Sequence, residues 1–129
     1  MKIGVRAHDY GKHSIEGLAS LLREEGYDGA QLALPKVFEE IDSYEDIRLS
    51  HIERIRRAFE KNRVEIPVMG CYMDLGNPDR SVREYAVETL KNCLLYAKEM
   101  GAGVVGTETA YPRLSREERA AWCPYMMDS

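Results

Sequence analysis

No apolar run in this sequence approaches the ~18 residues that a membrane-spanning helix needs. The opening MKIGVRAHDYGK interrupts its few apolar residues with charges, unlike a secretory signal. The expectation is a cytoplasmic chain with no membrane partner. Cysteine is scarce: Cys71, Cys93 and Cys123 are odd in number and widely spaced, which excludes a CxxC pair and a disulfide framework and fits free thiols. HExxH is missing, and no GxGxxG or GxxxxGK[ST] follows any strand, so a zincin, a Rossmann nucleotide site and a P-loop have little support. The acidic loop containing Asp42, Glu45 and Asp46 lacks the glycine and final glutamate of an EF-hand. There is no basic excess either. The formal net charge is −4, and the one dense basic run, HIERIRRAFEKNR, is interleaved with Glu53 and Glu60 like the solvated face of a helix. A nucleic-acid partner is therefore not expected.

What is present is ordinary globular material: 44% hydrophobic and 31% charged residues over 129 positions. KIGVR alternates like a strand. Ser14 caps a helix whose Ile15, Leu18, Ala19 and Leu22 form one stripe ending at Gly26. DGAQLALP is a buried strand closed by Pro35, followed by a long loop, KVFEEIDSYEDIRL, with possible helical turns. Ser50 and Glu53 form a capping box that starts the second helix, with Ile52, Ile55 and Phe59 as its stripe. EIPVMGCYMDL is the third strand and GNPDR its exit. A second capping box, Ser81 to Glu84, opens a helix whose Val82, Tyr85, Ala86, Leu90, Cys93, Leu94 and Ala97 face the core up to Gly101. AGVVGTE is strand four, and Ser115 to Glu118 is a third box.

Four strands alternating with four helices require parallel pairing and right-handed crossovers, which leaves an open doubly wound sheet or a (β/α)8 barrel. The phrases EEGYDGAQLAL and EMGAGVVGTET repeat a helix end, a glycine and a buried strand at matching offsets, as barrel units do. Both folds place their site at the carboxyl ends of the strands. The candidates there are His8, Lys36, Cys71, Tyr72, Asp74 and Glu108. His8 has the chemistry of a general base or a substrate hydrogen-bond partner, or is tied to the next loop. Asp74 and Glu108 are the acids placed to point at a common site, where two carboxylates can share a metal or do acid and base work, or each can instead cap a helix or neutralise Lys36, Arg80 or Arg113. Cys71 has no local histidine to activate it and is expected to line the pocket wall. His13 and His51, beside helix starts, are expected to be structural or solvent-facing.

IGVRAHDYGK, GYDGAQLALPK, GCYMDLGNPD and GAGVVGTETAYP together resemble the N-terminal part of the sugar phosphate isomerase/epimerase family, the xylose isomerase-like TIM barrels that also include apurinic endonucleases. The resemblance runs in register with all four strands. It implies the first half of a TIM barrel over residues 1–129, and metal-assisted proton transfer on a ketose or aldose in the full-length parent. It also implies a divalent metal, manganese, zinc or magnesium, held mainly by strands five to eight and so not by this chain. The endonuclease branch places histidines after strands three and four, where this chain has Cys71-Tyr72 and Thr107-Glu108-Thr109.

A whole barrel takes ~250 residues. The expectation is a half-barrel, inactive alone, with the edges of strands one and four and its barrel-facing side chains uncovered. If the polypeptide ends at Ser129, it is expected to self-associate as a homodimer or larger; a partner-binding, non-catalytic half-barrel is the alternative.

Overall fold

The computed structural model describes residues 1–108 and 114–129. Thr109 and Arg113, named above, lie outside the described residues. Four strands, β1 (Gly4–Arg6), β2 (Gly29–Leu32), β3 (Glu65–Gly70) and β4 (Val104–Gly106), form one sheet in the order β1-β2-β3-β4. Every pairing is parallel. The helices are α1 (Ile15–Glu24), α2 (Leu34–Val37), α3 (Leu49–Asn62), α4 (Arg80–Met100) and α5 (Arg116–Asp128). Pro67 is tolerated inside β3 because the β2–β3 register shifts there: Gly29 pairs with Glu65 but Gln31 with Val68, and a residue with no N–H fits such an irregularity.

The alternation of the strands decides what is core. Ala30 and Leu32 of β2 and Met69 of β3 are fully covered, as is Cys71 just past β3, and they pack with Leu18, Leu22, Ile52, Ile55 and Phe59 from α1 and α3. Burying one such leucine or phenylalanine contributes about 2 kcal/mol. Gln31 and Val68 point the other way and stay half-exposed.

Ser14 caps α1 by accepting from the Gly17 amide at 3.2 Å, and Ser115 and Glu118 form their reciprocal box at the start of α5. Two helix starts differ from expectation. Helix α3 begins at Leu49, one residue before Ser50, because the His51 ring reaches back as an acceptor for the Arg48 amide. Helix α4 begins at Arg80 with Asp79 as its cap; Asp79 Oδ1 accepts from both the Ser81 amide (2.8 Å) and the Ser81 hydroxyl (2.7 Å). An ionised carboxylate is the stronger acceptor, so Ser81 serves it as a donor.

The buried stripe of α4 is also narrower than its apolar pattern. Ala86, Cys93, Ala97 and Met100 are buried, whereas Val82, Tyr85 and Leu94 are 37%, 44% and 54% exposed. Small residues let α4 sit close on β3, β4 and α3, and the larger apolar residues fall at the margin of that contact. Arg83, unexpectedly buried, donates to the carbonyls of Asn77 and Pro78 and to Asp128, tying the end of α5 to the start of α4. No helix among the described residues is long and apolar enough to cross a membrane.

Candidate active site

The carboxyl ends of β1, β2 and β3 bring His8, Lys36 and Tyr72 together. The Tyr72 ring is the centre. Lys36 Nζ lies 4.5 Å from its centroid, a cation–π distance. The His8 ring meets it edge-on at 5.9 Å. The Tyr72 hydroxyl oxygen accepts from the Gln31 side-chain amide at 2.7 Å. Beneath the ring is Gly70, where an added Cβ would come within 3.2 Å of Tyr72 Cζ and Oη and 3.3 Å of Ala33 Cβ. A side chain there would have to displace the ring by a few tenths of an ångström.

Charge around the ring is arranged unevenly. Arg6 forms a two-pronged contact with Asp9, at 3.1 and 2.8 Å, which holds the Asp9 carboxyl below the usual range. Burial, followed by the Arg6 charge and, more weakly, Lys36, lowers the His8 pKa, so the ring is neutral at pH 7 and one nitrogen is free to accept a proton. His8 Nδ1 is buried without a hydrogen-bond partner among the described residues. Burial raises the Tyr72 phenol, and the carboxylate of Glu108 pushes in the same direction. The hydroxyl therefore keeps its proton.

Three expected site residues stand elsewhere or apart. Cys71 is fully buried on the helix-facing side, and the Cys93 thiol is pushed up by its hydrogen bond with Cys71 and by burial. It does not line the cluster; side chains one apart on an extended chain point oppositely, so Tyr72 and Cys71 could not both face the site. Asp74 sits in the exit loop, one oxygen accepting from the Asn77 amide at 2.9 Å and the other buried without a partner among the described residues. Glu108 is exposed and reaches Tyr72 only through its charge. Conversely, sequence inspection passed over Arg6, Gln31 and Tyr44. Gln31 had a visible signal, being the one polar residue inside a buried strand; Tyr44, in a loop, had none. His13 and His51 are structural: the His13 ring contacts the Tyr10 carbonyl, and His51 caps α3.

The side chains of the described residues do not gather into a divalent-metal site. Among the described residues, no group of three His, Cys, Asp or Glu converges, Asp9 is held by Arg6, and Asp74 by Asn77. No chemical step is assigned to a metal on this chain.

A parallel sheet backed by helices, with a polar cluster at the strands' carboxyl ends, defines part of a β/α barrel. The profile of the xylose isomerase-like TIM barrel family matches residues 19–124, and the chain belongs to that family. Solved structures agree on the fold. The chain aligns with D-psicose 3-epimerase, crystallised in the presence of D-fructose, at a TM-score of 0.70 and 12% identity, covering 99% of this chain and 46% of that one. The probable 3-DHS dehydratase AsbF of Bacillus anthracis, involved in petrobactin synthesis, aligns at 0.66 and 15% identity, covering 96% and 45%. A xylose isomerase-like TIM barrel/4-hydroxyphenylpyruvate dioxygenase fusion protein aligns at 0.60 and 13%, covering 99% and 21%. The chain thus spans less than half the length of these structures. No curated protein matches it.

Proposed function

We propose that this chain forms the substrate-binding side of a sugar or sugar-phosphate isomerase or epimerase, and that it is inactive by itself. The observation that carries the reading is the cluster around Tyr72. It offers one ammonium (Lys36), one phenolic O–H and one neutral imidazole (His8), with Arg6 and Asp9 paired to each other beside them. Such a set suits an uncharged polyol or its phosphate: Lys36 and Tyr72 donate to substrate oxygens, while His8 is able to accept a hydroxyl proton. The likeness to D-psicose 3-epimerase, crystallised in the presence of D-fructose, supports a ketose substrate. In the full-length parent, a manganese, zinc or magnesium ion on carboxylates from further strands would polarise the substrate's carbonyl oxygen.

The test is twofold. Ligand-observed NMR on the purified chain with D-fructose and fructose 6-phosphate should show weak saturable binding that Lys36→Met reduces, most for the phosphate. The same chain, stripped of metal and given manganese, should turn over neither sugar. Binding that ignores Lys36 and Tyr72 would refute the site; turnover would refute inactivity.

A second reading, self-association through the uncovered barrel-side face, is favoured by one observation: Val104 on β4 is 56% exposed beside half-exposed Val68. Light scattering that returns a monomer removes it. Neither reading includes a nucleic-acid or membrane partner.

A further inference from the structure

Tyr44 lies in the short turn Tyr44–Asp46, 28 residues before Tyr72, yet its hydroxyl reaches the exit of β3. It donates to the Gly70 carbonyl at 3.3 Å and accepts from the Tyr72 amide at 3.1 Å. The Cys71 amide between them still bonds across the sheet, to the Gly106 carbonyl at 2.8 Å. Where β3 leaves the sheet, then, a side-chain hydroxyl with one donor and two acceptor positions stands in for a neighbouring strand.

We infer that Tyr44 is a positioning residue, whose hydroxyl fixes the Tyr72 side chain so that its O–H faces an acceptor oxygen of the substrate. With the Gly70–Tyr72 segment held on one edge by the Tyr44 hydroxyl and on the other by the Gly106 carbonyl, the ring lies over Gly70. At its far end Gln31 occupies one acceptor position of the hydroxyl oxygen. The hydroxyl's own proton bonds to no other described residue. It is thereby reserved for a lone pair such as a carbonyl or hydroxyl oxygen of a sugar. Burial keeps both phenols protonated by raising their pKa values. The substrate half of the inference rests on the sugar-binding reading; the positioning half stands without it.

The experiment uses the Gln31 side-chain amide as reporter in 15N-labelled chain. Tyr72→Phe removes the acceptor and fixes where the reporter resonates when unbonded. Tyr44→Phe keeps the ring and deletes only the two hydrogen bonds; the reporter should then move most of the way to its Tyr72→Phe position. Tyr10→Phe, which breaks the remote Tyr10–Tyr27 hydroxyl contact, should leave it unmoved. A Gln31 signal that stays at its original position in folded Tyr44→Phe overturns the positioning role. Should that variant unfold, hydrogen exchange of the Tyr72 amide in the unmodified chain decides: protection at the level of the ladder amides supports the bond to Tyr44, and loop-like exchange overturns it. For the substrate half, D-fructose should bind Tyr44→Phe about tenfold more weakly, the size of one hydrogen bond. Failure of D-fructose to bind the unmodified chain, with the Gln31 response intact, overturns the substrate half alone.

Discussion

The two faces of one sheet obey different rules. Toward the helices, Ala30, Leu32, Met69 and Cys71 are sealed under α1, α3 and α4 with essentially no exposure. Toward the barrel side, Arg6, Gln31, Val68 and Val104 occupy matching register positions across the four strands and all keep solvent contact. The same backbone thus presents a dry, close-packed surface and a wet one that turns polar toward its carboxyl end. Stability is concentrated on the first face and chemistry on the second, because a side chain committed to packing has no freedom left to bind.

The sharpest way to break that contrast is to truncate one residue on each side. Phe59 in α3 is fully buried against the helix-facing core, so Phe59→Ala should cost about 3–5 kcal/mol in urea unfolding. Val104→Ala, on the open face, should change stability by no more than about 0.5 kcal/mol. A comparable loss at Val104 would mean that the open face is covered in solution, and light scattering would show by what.

Next in size is the start of α4. Asp79→Ala should lower stability by about 1 kcal/mol, the usual worth of a helix cap, whereas Ser81→Ala should cost less because the Ser81 amide still donates to Asp79. Equal losses would restore Ser81 as the cap that the S-x-x-E pattern implies.

That case shows what is legible in a sequence. The four strands and their parallel order follow from alternating apolar runs, and the Ser14 and Ser115 caps from local pattern, since each depends on neighbours within a few residues. The cap of α4 lies beyond local pattern because two good acceptors, Asp79 and Ser81, stand two positions apart and only acceptor strength separates them. The stripe of α4 is narrower than its period suggests because Val82, Tyr85 and Leu94 have the right period, but burial depends on how far the neighbouring elements extend. The strand-end rule picks out His8, Lys36 and Tyr72, which the structure brings together. It failed for Cys71, where the strand's period of two already separates the two neighbours, and for Tyr44, whose approach depends on the path of a loop.

The smallest expected effect concerns protons, and it tests whether the polar rim acts as one electrostatic unit. His8 has its pKa lowered by burial first, then by Arg6, while Asp9 opposes and Lys36 adds a weaker push downward. A histidine whose folded pKa lies below its unfolded value is protonated more readily in the unfolded chain. Its contribution is therefore fully present above the unfolded value near 6.5 and is lost as the pH falls below it, levelling off beneath the folded pKa. Since His8 is only partly covered, solvent screening keeps this contribution small. NMR titration of the His8 ring should give a midpoint below 6.5, the ordinary imidazole value. Arg6→Met should raise the His8 midpoint most, because it removes a cation and frees Asp9 to act on the ring, and Lys36→Met should raise it less. If neither substitution moves the midpoint, burial alone sets it, and Lys36 stands too far from the imidazole in solution to share a substrate with it.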